Sequence, residues 1–188
     1  MTRMLPAAAT LLLLLLQGCG GETAPRPAPS AAEVTAEATG RYCGMRLIDH
    51  EGPKGQVHLA AATQAVWFSS VRDTLAFMRL PEEPRDFVAV YVSDMARSRA
   101  WEQPDAGAWV DPRNAWFVIE SEMRGGMGAP EAVPFSDLAA AQAFQARHKG
   151  RVVRLAEIPD AYVLGPVNIG GSAAPAASGG HAHPGGSR

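Results

Sequence analysis

The sequence predicts an α+β fold: two similar β-β-α-β modules packed into one globular unit. Three observations predict it. The chain repeats itself: Ala65-Val66-Trp67-Phe68-Ser69-Ser70, followed by Ala76-Phe77, returns as Ala132-Val133-Pro134-Phe135-Ser136-Asp137, followed by Ala143-Phe144. Each half reads strand, strand, helix, strand. Each half alone is also too short to bury a sufficient core, so the two must pack together.

In the first module, residues 40–98, Gln56–Ala61 and Gln64–Phe68 read as strands. Ser69 or Ser70 caps a helix, with Asp73 standing three residues after Ser70 as its acidic partner. Val71, Leu75 and Met78 form one apolar helical face, and Pro81 and Pro84 close the helical region. Phe87–Val92 is apolar enough for a central strand. In the second module, residues 99–168, Ala115–Glu120 reads as a strand and Glu131–Phe135 as a short one, which Pro134 places at an edge or near a break in pairing. Ser136 is expected to cap a helix running to about His148. Gly150 stops it, and Arg151–Leu155 is the last strand.

The ends of the chain carry a different message. Arg3 precedes the apolar run Leu5–Leu16, and Leu16-Gln17-Gly18-Cys19 looks like a lipobox. Residues 1–18 therefore read as a signal peptide and Cys19 as a lipidated residue. A plain transmembrane anchor is the competing reading, against which Pro6 and the short run argue. Gly21, not Asp, stands two residues after Cys19, which favours an outer-membrane address facing the periplasm. Residues 19–39, rich in Ala, Pro, Ser, Thr and Glu, read as a flexible tether. Residues 169–188, with His181 and His183, read as a disordered tail. A net charge of −2 with no basic block argues against nucleic acid as a partner.

The chain has two cysteines. If Cys19 carries lipid, Cys43 is the only thiol of the mature protein, in an oxidising compartment. It is then buried and inert, or it is used. In Tyr42-Cys43-Gly44-Met45 an extended backbone would project Cys43 and Met45 from one face. A thiolate with a thioether is a soft ligand pair, and soft ligands select Cu(I). A second segment, Arg124-Gly125-Gly126-Met127-Gly128-Ala129-Pro130, encloses one methionine among glycines. By composition alone it is a turn whose methionine caps the core. Beside a lone thiol, Met127 would complete a three-sulfur site with Cys43 and Met45.

Met78 and Met95 read as packing residues, and so does Met123, with a role as fourth sulfur ligand the alternative. His50 reads as a solvated loop histidine, with a role as auxiliary ligand left open, and His58 and His148 as structural or surface residues. Glu131 is either an acceptor behind the site or a strand-end charge. His181 and His183 could hold Cu(II) or Zn(II) only weakly. Cys43 has no general-base partner at a recognisable spacing, and no P-loop, dinucleotide fingerprint, HExxH or GxSxG is present. A carrier is favoured. A thiol-dependent enzyme with Cys43 as nucleophile, and a structural lipoprotein, are the alternatives.

Tyr42-Cys43-Gly44-Met45, Asp49-His50-Glu51-Gly52-Pro53-Lys54, Val71-Arg72-Asp73, Tyr91-Val92-Ser93-Asp94-Met95 and Arg124–Phe135 together resemble the NosL family, the copper-binding accessory lipoproteins of nitrous oxide reductase. The likeness spans about Gly40–Val163. It implies a monomer that binds one Cu(I) and delivers it to the reductase apoprotein during assembly of the copper–sulfide centre. It also implies a membrane ABC-type maturation complex as working partner. Carried over by position, the Cys-x-Met motif falls on Cys43 and Met45, and the loop methionine on Met127. Some relatives have a further cysteine ahead of the motif. Gly40-Arg41 stands there in this chain.

Overall fold

The computed structural model describes residues 27–167. The expected signal peptide, Cys19 and the tail with His181 and His183 lie outside the described residues. Within them the fold is α+β, with two antiparallel sheets that each carry a helix. Strands β1 (Gly55–Leu59), β2 (Val66–Phe68) and β3 (Phe87–Ser93) surround helix α1 (Val71–Arg79) in sequence. A two-residue strand β4 (Trp109–Val110) extends this sheet, in the order β2-β1-β3-β4. Strands β5 (Trp116–Ile119), β6 (Val133–Phe135) and β7 (Arg151–Arg154), with helix α2 (Leu138–His148), form the second sheet in the order β6-β5-β7. Both sheets place their first strand in the middle. A short helix α3 (Asp160–Leu164) packs on α1.

The sequence repeat corresponds to a repeated packing unit. Phe68 of β2 meets Phe77 of α1 with ring centroids 5.1 Å apart at 53°. Phe135 of β6 meets Phe144 of α2 at the same 5.1 Å and 53°. Each pair ties the short strand of its module to the helix that follows.

What joins the modules is a shared core. Val71 and Leu75 of α1, Val92 of β3, Phe117 and Ile119 of β5, Val153 of β7 and Val163 of α3 pack in one buried cluster. Val118 of β5 faces the other way, onto Phe144 of α2. Strand β5 is therefore apolar at every position because both its faces are covered. Pro134 pairs with Phe117 in edge strand β6, as its missing N–H requires. Its free carbonyl accepts Met95 N at 2.9 Å, a backbone bond between modules.

Ser70 caps α1 as expected, its hydroxyl accepting Asp73 N at 3.1 Å. Helix α2 departs from expectation. Its cap is Asp137, which accepts Ala140 N at 2.8 Å, one residue beyond Ser136. Ser136 N donates to Asp94 Oδ1 at 2.9 Å, tying the entry to α2 to the end of β3. Strand β4 lies in the sequence range assigned to the second module yet pairs with β3 of the first.

The stretch read as a tether is docked over its described part. Gln56 is fully buried. Its amide donates to Ala32 O at 2.9 Å and accepts Ala32 N at 2.8 Å. Tyr91 Oη donates to Pro29 O at 2.8 Å, Ala38 is buried, and Leu47 N donates to Ala38 O at 2.9 Å. Apolar content is a poor guide here, because a buried glutamine supplies the bonds that hold the segment. No helix among the described residues is long and apolar enough to cross a membrane.

Candidate metal centre

Cys43 does not lie in an extended segment. Gly40 N donates to Met45 O at 2.9 Å and Gly44 N to Gly40 O at 2.8 Å, closing a tight loop in which Gly44 has φ +65°. A side chain at Gly44 would be strained by that φ, and one at Gly40 would sit 2.6 Å from Cys43 Sγ. The loop leaves Cys43 partly exposed and its sulfur 3.7 Å from Ser69 Oγ. The other partners of Sγ are Gly40 O at 4.0 Å and Met45 O at 3.9 Å.

Met127 stands at the tip of a hairpin. Arg124 and Pro130 pair across its base, Gly125 N donates to Ala129 O at 2.9 Å, and Gly128 N donates to Gly125 O at 2.8 Å. The tip presses on the first module. A Cβ at Gly126 would lie 2.6 Å from His50 Cβ, 3.0 Å from Ser69 O and 3.2 Å from Glu51 O. Ser69 thus stands between the two sequence-predicted segments, its hydroxyl on the Cys43 sulfur and its carbonyl under the Met127 loop. Met45 and Met127 are each 43% exposed. Their flexible thioethers are free to turn toward a bound ion.

His50, read from sequence as a solvated loop residue, is not one. Its Nδ1 lies 2.9 Å from Gly126 O. Because a carbonyl only accepts, Nδ1 carries the hydrogen, and in the neutral ring Nε2 keeps a lone pair. Nε2 is buried with no partner among the described residues. Metal-binding histidines have this arrangement: one ring nitrogen is fixed by a carbonyl and the other is bare. No spacing in the sequence marks His50, because Gly126 is 76 residues away. The loop after it is pinned by Lys54, a buried lysine whose Nζ donates to Glu51 O at 3.0 Å and Gly52 O at 2.5 Å. Burial pulls Lys54 down to about 8.

Met78, Met95 and Met123 pack against cores, as expected. His58 is tied to Gln56 Oε1 at 2.8 Å, and His148 stacks on Phe144. Among the described residues, no group of three or more His, Cys, Asp or Glu side chains is placed to hold a metal ion. The Cys43 sulfur and the backbone of the Met127 hairpin both approach Ser69, and His50 carries a buried ring nitrogen with no partner among the described residues. A cavity of about 170 Å³ opens beside His50, lined by Leu47, Lys54, Ser93 and Trp109 among others. None of the three sulfur residues lines it.

Glu131 lies beneath the Met127 hairpin, fully buried. Burial, ahead of every other influence, pushes its carboxyl up to about 8. The folded state then holds this proton more tightly than the unfolded chain, so stability is lost as pH rises through the window from about 5 to 8. Lys54, lowered to about 8, adds no pH dependence in that window, because the cost of burying its charge is constant there and is relieved only at higher pH. Wild type should therefore lose thermal stability relative to Glu131→Gln between pH 5 and 8. Melting curves that run parallel for the two proteins would contradict this.

Residues 31–163 match the sequence profile of the NosL family. The chain is 42% identical over 170 residues to a protein of Achromobacter cycloclastes named copper-binding lipoprotein NosL, covering 90% of this chain and 87% of that one. This chain belongs to the NosL family. A second NosL, from Stutzerimonas stutzeri, is 33% identical over 153 residues, covering 81% of this chain and 78% of the relative. The crystal structure described as the copper chaperone NosL from Shewanella denitrificans superposes with a TM-score of 0.65 at 31% identity. It covers 72% of this chain and 99% of its own. The NosL match begins at residue 31, inside the segment that Gln56 docks onto the first sheet.

Proposed function

We propose that the chain is a Cu(I) carrier, lipid-anchored at Cys19 and facing the periplasm, that holds copper on Cys43, Met45 and Met127. Acting as a monomer, it hands the ion to nitrous oxide reductase apoprotein, working beside an ABC-type membrane maturation complex. The observation that carries the reading is Ser69, which touches the Cys43 sulfur with its hydroxyl and the Met127 hairpin with its carbonyl. His50 Nε2 adds a nitrogen donor from the same hairpin contact.

The chemistry follows from the donor set. Thiolate and thioether are soft, so they hold Cu(I) against water and against harder metal ions. The thioethers are exposed, so a client ligand can enter before the old ones leave. Protonation of the thiol competes with the metal, so affinity falls as the solution becomes more acidic.

X-ray absorption at the copper edge, on protein loaded without oxygen, tests the ligand set. Sulfur neighbours in a low-coordinate shell are expected. Met127→Ala should remove one sulfur, and His50→Ala should remove any nitrogen neighbour while leaving the sulfurs. A shell of oxygen and nitrogen alone would overturn the reading. Neither alternative gains an observation. Cys43 is partly exposed rather than buried, and Gly40 O, Met45 O and Ser69 Oγ, the partners of its sulfur among the described residues, include no general base.

A further inference from the structure

We infer that Glu131 is the positioning residue of this site, a buried side chain that locks the Met127 hairpin to the start of α1 and so sets Met127 against Cys43. The inference rests on the carrier reading above. Glu131 Oε1 accepts Arg72 N at 3.0 Å and Ala132 N at 2.8 Å, and Oε2 accepts Val71 N at 3.3 Å. Val71 and Arg72 carry first-turn N–H groups of α1, which no helical carbonyl can satisfy. The second module thus caps the helix of the first, beside the cap that Ser70 already provides.

The other flank of the carboxyl faces the hairpin. A Cβ at Gly125 would overlap Glu131 Oε2 and lie 2.9 Å from Ser70 Cβ. Glu131 N donates to Met123 O at 3.2 Å, at the hairpin base, and Tyr162 Oη donates to Glu131 O at 2.8 Å. Two arms therefore leave one fixed point. One runs through the start of α1 to Ser69 and the Cys43 sulfur. The other runs through Gly125 to Met127. Lys54 and Arg72 from the first module, with Asp73, are the charged groups that act on this carboxyl or share its backbone contacts. Burying a carboxyl is costly unless each oxygen is bonded. Here both oxygens are, and all three donors are backbone groups that fix the relative position of α1 and the segment leaving the hairpin.

The test uses the full-length chain in detergent micelles. Glu131→Gln keeps the volume but replaces one oxygen, which accepts a backbone N–H whether or not the carboxyl is protonated, with an NH2 group that cannot accept one. Gly125→Ala leaves the carboxyl intact and pushes the hairpin off it. Each variant should lower Cu(I) affinity about 10- to 100-fold in chelator competition, the usual cost of disturbing groups behind a ligand. Each should also remove one sulfur from the copper-edge spectrum, a change that a mere loss of stability would not produce. Folded variants with wild-type affinity and sulfur count would overturn the inference. So would loss of folding in both, which would mark the carboxyl as structural. If Cys43→Ala itself leaves wild-type Cu(I) binding unchanged, the carrier reading fails instead. If Cys43→Ala abolishes binding while Glu131→Gln and Gly125→Ala change nothing, only the present inference fails.

Discussion

Cys43→Ala should abolish the proposed tight Cu(I) binding while leaving the fold intact. Cys43 supplies the one anionic ligand of the proposed set, and neither thioether can replace its charge. The loss should exceed the roughly 10- to 100-fold that disturbing a residue behind a ligand costs. Stability should barely respond, shifting by no more than about 0.5 kcal/mol, because the side chain is partly exposed and its sulfur makes only long contacts, from 3.7 to 4.0 Å. The measurement is anaerobic titration against a Cu(I) chelator, paired with thermal melting. The pH dependence of binding should flatten in the variant, since no thiol proton remains to be displaced. Stoichiometric, tight binding that survives the substitution would refute the site.

The second large effect is on stability. Phe117 is fully buried in the core shared by α1, β3, β5, β7 and α3. Phe117→Ala should cost about 3–5 kcal/mol, the range for emptying a buried aromatic site. Against a total stability of about 5–15 kcal/mol, that is a large fraction. Because this core belongs to both modules, they should unfold together. Denaturant titrations followed by tryptophan fluorescence and by far-UV circular dichroism should coincide in one transition, shifted to lower denaturant in the variant. Separate transitions for the two sheets, or a loss below about 1 kcal/mol, would show that the modules stand on their own.

Much of this was legible in the residues. The repeat of Val66-Trp67-Phe68 and Val133-Pro134-Phe135, each followed by a helical phenylalanine, marks the two aromatic pairs at 5.1 Å. Ser70 and Asp73 announce a helix cap because a cap is a contact across three residues. Pro134 announces an edge because it lacks a donor. Other features could not be read this way. Asp137, not Ser136, caps α2, and the Ser136 N–H goes instead to Asp94, 42 positions away. The docked segment 27–39 looks like a tether until Gln56 is seen to bond both backbone groups of Ala32. Cys43 and Met45 were expected to share a face of an extended strand, but the bond from Gly40 N to Met45 O closes a loop instead.

The sequence by itself determined the donor chemistry: a lone thiol, two methionines in glycine-bordered loops, and helices and strands set by periodicity and caps. These depend on residue type and on neighbours within a turn or two. Only the tertiary structure decided that Ser69 separates the thiol from the Met127 hairpin, that Gly126 seats on His50, and that Glu131 caps a helix in the other module. Such contacts join residues from 26 positions apart, as Cys43 and Ser69 are, to 76, as His50 and Gly126 are. They follow from how two apolar faces close over one core, a property of the summed packing that no local window of sequence contains.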